Sequence, residues 1–307
     1  MATPATPKAA EQAAVLALTA ASELEWHRAA SLIARAGSAR RLLAGQLDDL
    51  DWDERSDAAA LASAVSPEQL DRAEALVASL EERGLGLVTI LDDAYPANLR
   101  LVFDPPPFLL LRGRLVAADE RALAVVAAPD APGEALGRAQ ELAAGLARRG
   151  ITVVCGLDSA VDAAVHEAAL DAGGRAIALL ATGLDDPQAA RPRGLARRIA
   201  ASGALVSPTW PEAPATFTSA VLRNAVMSGI ALGLLAVWGD AFSEVRNQAR
   251  RCLEHDKRLL LARPLVLGEP WAKHYTAHSG TTVVDGVDDA VEVVAAMVEL
   301  RTQLACG

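Results

Sequence analysis

One stretch limits the folds open to this chain more than any other: residues 150–185, GITVVCGLDSAVDAAVHEAALDAGGRAIALLATGLD. Residues 151–154 form a short β-branched run of the kind that buried parallel strands use. Cys155 and Gly156 mark a tight turn. From Asp158 the pattern becomes helical, with Val161, Val165, Ala168 and Ala169 on one face. Gly173 and Gly174 stop that helix, and residues 177–180 read as the next strand. A β-turn-α-β unit of this kind crosses over right-handed and leaves its strands parallel. Its ligand site is where the strand ends and the helix begins, because unpaired backbone N–H groups point there. Chemistry is therefore expected near residues 155–166.

Around this unit the chain changes texture once. Residues 1–10 read as a frayed tail. Residues 11–82 read as helices only, at 11–21, 26–36, 39–43 and 67–82, with an acidic loop at 48–54, and form a small all-α domain. After Arg83-Gly84 come strand candidates at 85–91 and 108–111. From Ala122 strands and helices alternate to residue 303, so residues 84–307 are expected to form one further domain. The fold class this predicts is α/β: a Rossmann-like, mostly parallel sheet with helices on both faces, preceded by the helical domain.

Composition bounds the function classes. With 52% apolar and 22% charged residues, 307 residues support a sizeable core, and global disorder is excluded. The net charge of −10 argues against strong, unspecific nucleic-acid binding. Three cysteines without a CxxC spacing give neither a zinc site nor a disulfide framework, which fits a reducing cytoplasm. No apolar run reaches the ~20 residues of a spanning helix.

Several residues are candidates for chemistry. Asp162 and His166 lie four apart on one helix face, where they can pair as a cap or meet a phosphate. Arg223-Asn224 can put a guanidinium on a phosphate, or Arg223 can be a buried arginine paired to Asp162 or Asp185. Cys155 reads as a small buried residue rather than a nucleophile. Arg191, Arg193, Arg197 and Arg198 form one basic cluster, and Arg246, Arg250, Arg251, Lys257 and Arg258 another. Both read first as solvated helix faces; only Phe217, Trp238 and Phe242 are placed to stack on bases. His274 and His278 have no third ligand to make a metal site.

Taken together, six features in order resemble the DNA-processing protein A (DprA/Smf) family. They are Tyr95-Pro96…Leu99 with Asp104-Pro105-Pro106…Gly113; Gly156-Leu157…Asp162…His166…Gly173-Gly174; Gly183-Leu184-Asp185; residues 203–207, GALVS; Arg223-Asn224; and residues 243–264. Residues 11–82 are similar to that family's helical N-terminal domain, of the SAM or helix-hairpin-helix kind. The departures fall on the ligand rim. Ala127-Ala128-Pro129 stands where the family has Gly-Ser-Arg, and Ala225 where it has the last arginine of Arg-Asn-Arg. Ser243-Glu244-Val245 replaces Ser-Gly-Ser, and Gln248 a threonine.

The resemblance implies a cytoplasmic, non-enzymatic protein without a cofactor or membrane anchor. It implies weak binding of single-stranded DNA by Gly156, Asp162, His166, Arg223, Asn224 and Ser243, with a RecA-type recombinase and a second copy of the chain as partners. A relative that has lost its pocket and serves as a protein-interaction scaffold is the alternative. A phosphoribohydrolase-like enzyme using Asp162 ranks below both, since no PGGxGTxxE stretch is present.

Overall fold

The computed structural model describes residues 6–306 apart from 23, 49 and 187–192. Its contacts divide the chain into two compact units, one taking in residues up to 95 with 103–112, the other 96–102 with 113–307.

The first unit is built on α1 (Pro7–Ala21), which packs against α2 (Trp26–Ala36), α3 (Ala39–Leu43), α4 (Trp52–Ala64) and α5 (Pro67–Ser79). Thr6 caps α1 by accepting from the Ala9 N–H at 3.2 Å, and Pro7 fills the first turn, where no backbone donor is needed. Residues 7–10, expected to be frayed, are thus already helix. From Gln12 to Leu18 the helix is buried on every side, which its run of Ala, Val and Leu permits. The acidic loop expected at 48–54 ends early, because Asp51 and Glu54 form a capping box that starts α4.

Strands β1 (Gly86–Thr89) and β2 (Phe108–Gly113) pair antiparallel, Thr89 opposite Phe108. Side chains of the first unit tie the segments around them to the helices: Gln12 Nε2 donates to Leu87 O at 3.1 Å, Lys8 pairs with Asp92 at 3.1 Å, and Trp26 Nε1 donates to Asp104 O at 3.1 Å. The division made by the contacts therefore lies past the expected border at residues 83–84.

In the second unit the elements follow as α6 (Ala97–Arg100), β3 (Ala122–Ala127), α7 (Gly133–Arg148), β4 (Thr152–Cys155), α8 (Ala160–Asp171), β5 (Ala176–Leu179), α9 (Arg193–Ser202), β6 (Ala204–Ser207), α10 (Phe217–Ile230), β7 (Gly233–Trp238), α11 (Glu244–Glu254), β8 (Arg258–Ala262), α12 (Arg263–Gly268), α13 (Pro270–Tyr275), β9 (Thr281–Val284) and α14 (Val287–Cys306). The strands of this unit lie in the order β6-β5-β4-β3-β7-β8-β9, and every neighbouring pair is parallel. Val154 sits opposite Ile177, so the unit predicted from residues 150–185 forms as expected. Leu123, Val125 and Ala127 of β3 face a core shared with α7, α8 and α14, while α10 and α11 pack over β3 and β7 from the other side. Strand order reverses at β3, which has β4 on one flank and β7 on the other. In open α/β sheets such a switch point opens a crevice at the carboxyl edge. Between Val126 and Ala127 the β3–β7 register shifts, a bulge at the lip of that crevice. Among the described residues no helix is long and apolar enough to cross a membrane.

Candidate functional site

The crevice is a cavity of about 120 Å³ whose walls come from the ends of β3 and β4 and from one face each of α8, α10 and α11. Three of the six predicted residues line it: Gly156, Asp162 and Arg223. The β4 strand delivers Gly156 to the edge, and α8 begins four residues later at Ala160, with Ser159 as its cap. A Cβ on Gly156 would sit 2.8 Å from Arg223 Nη1 and 3.0 Å from Asp162 Oδ2, so the bare backbone there is what lets the guanidinium cross the turn.

Asp162 is spent on the fold. Its carboxylate accepts from the Asp158 and Ser159 N–H groups at 3.0 and 3.1 Å and from the Cys155 thiol at 3.3 Å, while its own N–H donates to Ser159 Oγ at 3.0 Å. Three hydrogen bonds to it at a helix N-terminus make this a structural carboxylate. Asp162 and His166 do not bond to each other. His166 is fully buried behind the wall, and its Nε2 lies 2.8 Å from Gly156 O. A carbonyl only accepts, so Nε2 carries the hydrogen, and burial lowers the imidazole pKa and keeps it neutral. Burial, with Asp162 alongside, pushes the Cys155 thiol well up, which leaves it inert as a nucleophile.

Arg223 is the cavity's cation. Its side chain is 11% exposed, and Nη2 meets Asp158 Oδ2 at 3.2 Å, so the partner is neither Asp162 nor Asp185. Asp158 is 53% exposed, and burial raises its pKa more than Arg223 lowers it. Asn224 is buried beside the cavity rather than lining it. Its amide donates to Glu244 and its carbonyl oxygen accepts from Gln248 Nε2 at 3.3 Å. Ser243 does not line the cavity either: its hydroxyl turns back to Asp240 O at 2.8 Å, and the next residue, Glu244, enters instead. Ala128 and Pro129 contribute no donor side chain where the resemblance leads one to expect serine and arginine.

Sequence reasoning missed Asp158, Glu244 and Gln248. Glu244 and Gln248 carried a signal, since they lie four apart on one face of α11 and both fall where the chain departs from the family pattern. Three carboxylates, from Asp158, Asp162 and Glu244, thus share the lining with one guanidinium, and Asp158 competes with any anion for its Nη2.

The basic clusters lie elsewhere. Arg191 is outside the described residues; Arg193 and Arg197 are exposed, and Arg198 pairs with Asp171. Arg250 and Arg251 both meet Glu254, as on a solvated helix face. Phe217 and Phe242, 87% and 96% exposed, stand at the start of α10 and in the loop before α11, the two helices that carry Arg223 and Glu244. Among the described residues no cluster of His, Cys, Asp and Glu could hold a metal.

Fold and crevice define a class: a doubly wound α/β protein with a switch-point cavity beside an arginine-bearing helix. Within that class the chain belongs to the DNA recombination-mediator protein A family, which it matches over residues 86–295. It is 31% identical over 218 residues to Protein Smf of Escherichia coli, a match covering 69% of this chain and 58% of that one. With a putative DNA processing protein DprA of Mycobacterium tuberculosis it shares 32% over 249 residues, covering 76% and 63%. The chain thus spans about three-fifths of these relatives' length. The X-ray structure of DNA processing protein A from Streptococcus pneumoniae shares the fold, with a TM-score of 0.65 at 20% identity, covering 87% of this chain and 97% of that one. So does the Helicobacter pylori protein, whose single-stranded DNA binding mode has been described, with a TM-score of 0.60 at 17% identity over 69% and 96%.

Proposed function

We propose that this chain is a DprA-like DNA-processing protein that binds single-stranded DNA weakly, without catalysing a reaction, and helps a RecA-type recombinase engage it during DNA uptake or recombination in the cytoplasm. Family membership supports the role. The observation that carries it is the placement of Arg223, whose guanidinium lies over the bare backbone of Gly156 at the carboxyl edge of the sheet. Exposed Phe217 and Phe242 stand on the flanking elements and offer faces for base stacking. Weak binding follows because one phosphate contact remains and Asp158 already holds it. A non-enzymatic role fits Asp162, whose carboxylate is engaged by three hydrogen bonds from its own turn. A second copy of the chain belongs to this reading as a further partner.

The acidic lining favours one other reading, a relative that has lost its ligand and serves as an interaction scaffold. Fluorescence anisotropy of a labelled oligo-dT at two salt concentrations separates the two. The DNA reading expects measurable binding, a log–log salt slope near the ~0.7 of a single contact, and loss of most affinity in Arg223→Ala. No binding by the folded protein hands the case to the scaffold. Tight, steeply salt-dependent binding that ignores Arg223→Ala moves the site to the arginine clusters.

A further inference from the structure

A second cavity, of about 510 Å³, opens at the opposite edge of the sheet. Leu232 precedes β7, Lys257 precedes β8 and Gly280 precedes β9, so this is where those strands start. Its volume lies within the range of small-molecule sites. Nothing in the function proposed above uses it.

Its polar end is built on Asn98. This residue is buried, and its Nδ2 donates to Glu120 O at 3.0 Å and to Ile230 O at 3.1 Å, which fixes the side chain. Both its acceptors are then turned to cations: Asn98 O accepts from Lys257 Nζ at 3.1 Å, and Asn98 Oδ1 accepts from Arg301 Nη1. One anchored residue therefore holds an ammonium and a guanidinium side by side. Among the described residues no carboxylate pairs with Lys257, and Glu120 reaches Arg301 only at 3.7 Å. Arg258 adds a third cation to the lining against one carboxylate, Asp256. The positive φ of Asp256, 54°, needs no ligand to explain it. It follows the last turn of α11, where Lys257 N bonds back to Cys252 O and Asp256 N to Leu253 O, a helix ending that aspartate tolerates. The rest of the wall is apolar, with Leu101, Met297 and Leu300 among its residues; Leu101 is 72% exposed and Leu300 57%.

The geometry points to a binding site at this edge for an organic anion with an apolar body, its charged head seated between Lys257 and Arg301 and its frame on Leu101 and Leu300. Two cations kept close with no carboxylate between them repel each other, and an anion placed there relieves both. Burial and, after it, the Arg301 charge lower the Lys257 pKa to about 8. The apolar wall adds what a head group alone cannot, area removed from water.

Isothermal titration of the full chain with 8-anilinonaphthalene-1-sulfonate tests this, with the uncharged N-phenyl-1-naphthylamine and inorganic phosphate as partial probes. The expected result is one bound sulfonate per chain, tighter than either partial probe. Lys257→Gln and Arg301→Gln should each weaken it about tenfold, the loss of one charge-assisted hydrogen bond. Leu101→Ser, at an exposed position where the fold is safe, should weaken the sulfonate and the uncharged probe alike but not phosphate. Thermal unfolding of each variant checks that it is folded. Sulfonate affinity unchanged in both charge variants would overturn the proposal. So would loss of binding in Arg223→Ala, which would place the probe at the other edge.

Discussion

Arg223 and Asp158 face each other at 3.2 Å, and most of what the candidate site does depends on that pair. Asp158→Asn keeps the shape and removes the charge that competes with a phosphate. Oligo-dT affinity should rise, up to about tenfold if the pair is closed about nine-tenths of the time, since apparent affinity scales with the competent fraction. Acid should act in the same direction. The raised pKa of Asp158 means its charge is lost at a higher pH than that of an ordinary aspartate, so anisotropy titrations at falling pH should show binding strengthen early. In Asp158→Asn that early gain should be absent; if it persists, another group controls the site. Gly156→Ala should fold, because the far end of a flexible arginine can move aside, yet lose DNA binding as Arg223 leaves its seat. Gly156, Asp162 and Arg223 were legible in the sequence because each follows a strand or sits on a helix next to one. Asp158 was not, because an acid in a loop looks the same whether it is solvated or turned inward. Nor does sequence separate a residue that lines a cavity from one that braces it, as Asn224 and His166 do here.

Helices and strands differed in how plainly they could be read. Most strands of the second unit stood out because they are aliphatic runs between turns, and β3 is buried from end to end. Helix α4 did not, since only Ala58 and Leu61 of it are buried and its other residues follow no apolar stripe. Helices α12 and α13 were not read either; each is only six residues long, and Pro264 and Pro270 stand in their first turns, where proline is welcome. In the family-like GALVS run, Gly203 has a physical cause, because a Cβ there would lie 1.9 Å from Ala176 O in the neighbouring strand. Cap and core can be tested separately. Ser159→Ala removes the hydroxyl that receives the Asp162 N–H and should cost about 1 kcal/mol. Leu235→Ala, fully buried in β7, should cost about 3–5 kcal/mol. Urea unfolding of the two variants measures both, and equal losses would mean that α8 is held by more than its cap.

At the scale of the whole molecule, charge and topology set the behaviour. The net charge of −10 repels nucleic acid at long range, so whatever binds at Arg223 does so against the field of the protein. Lys257 makes stability depend on pH in the alkaline range. Its pKa is about 8 folded against 10.5 unfolded, so the unfolded chain binds more protons between those values, and stability rises with pH across that window. Below pH 8 both states hold the proton and the cost of a half-buried charge is felt in full. Lys257→Met should therefore raise the melting temperature at pH 7 by a few degrees, roughly 2–4 °C per kcal/mol regained, and flatten the rise between pH 8 and 10.5.

The strand order also sets a timetable. Leu123 of β3 pairs with Gly233 of β7, which follows it 110 positions later in the chain. At about 5–20 residues per second of synthesis, the central strand waits roughly 6–22 s for the neighbour on that flank. Until then one edge of a strand buried from end to end in the finished fold is open to other nascent chains. The switch point that makes room for a ligand in the finished protein is thus the last seam of the sheet's centre to close on the ribosome, and slower growth temperatures or a bound chaperone should matter most there.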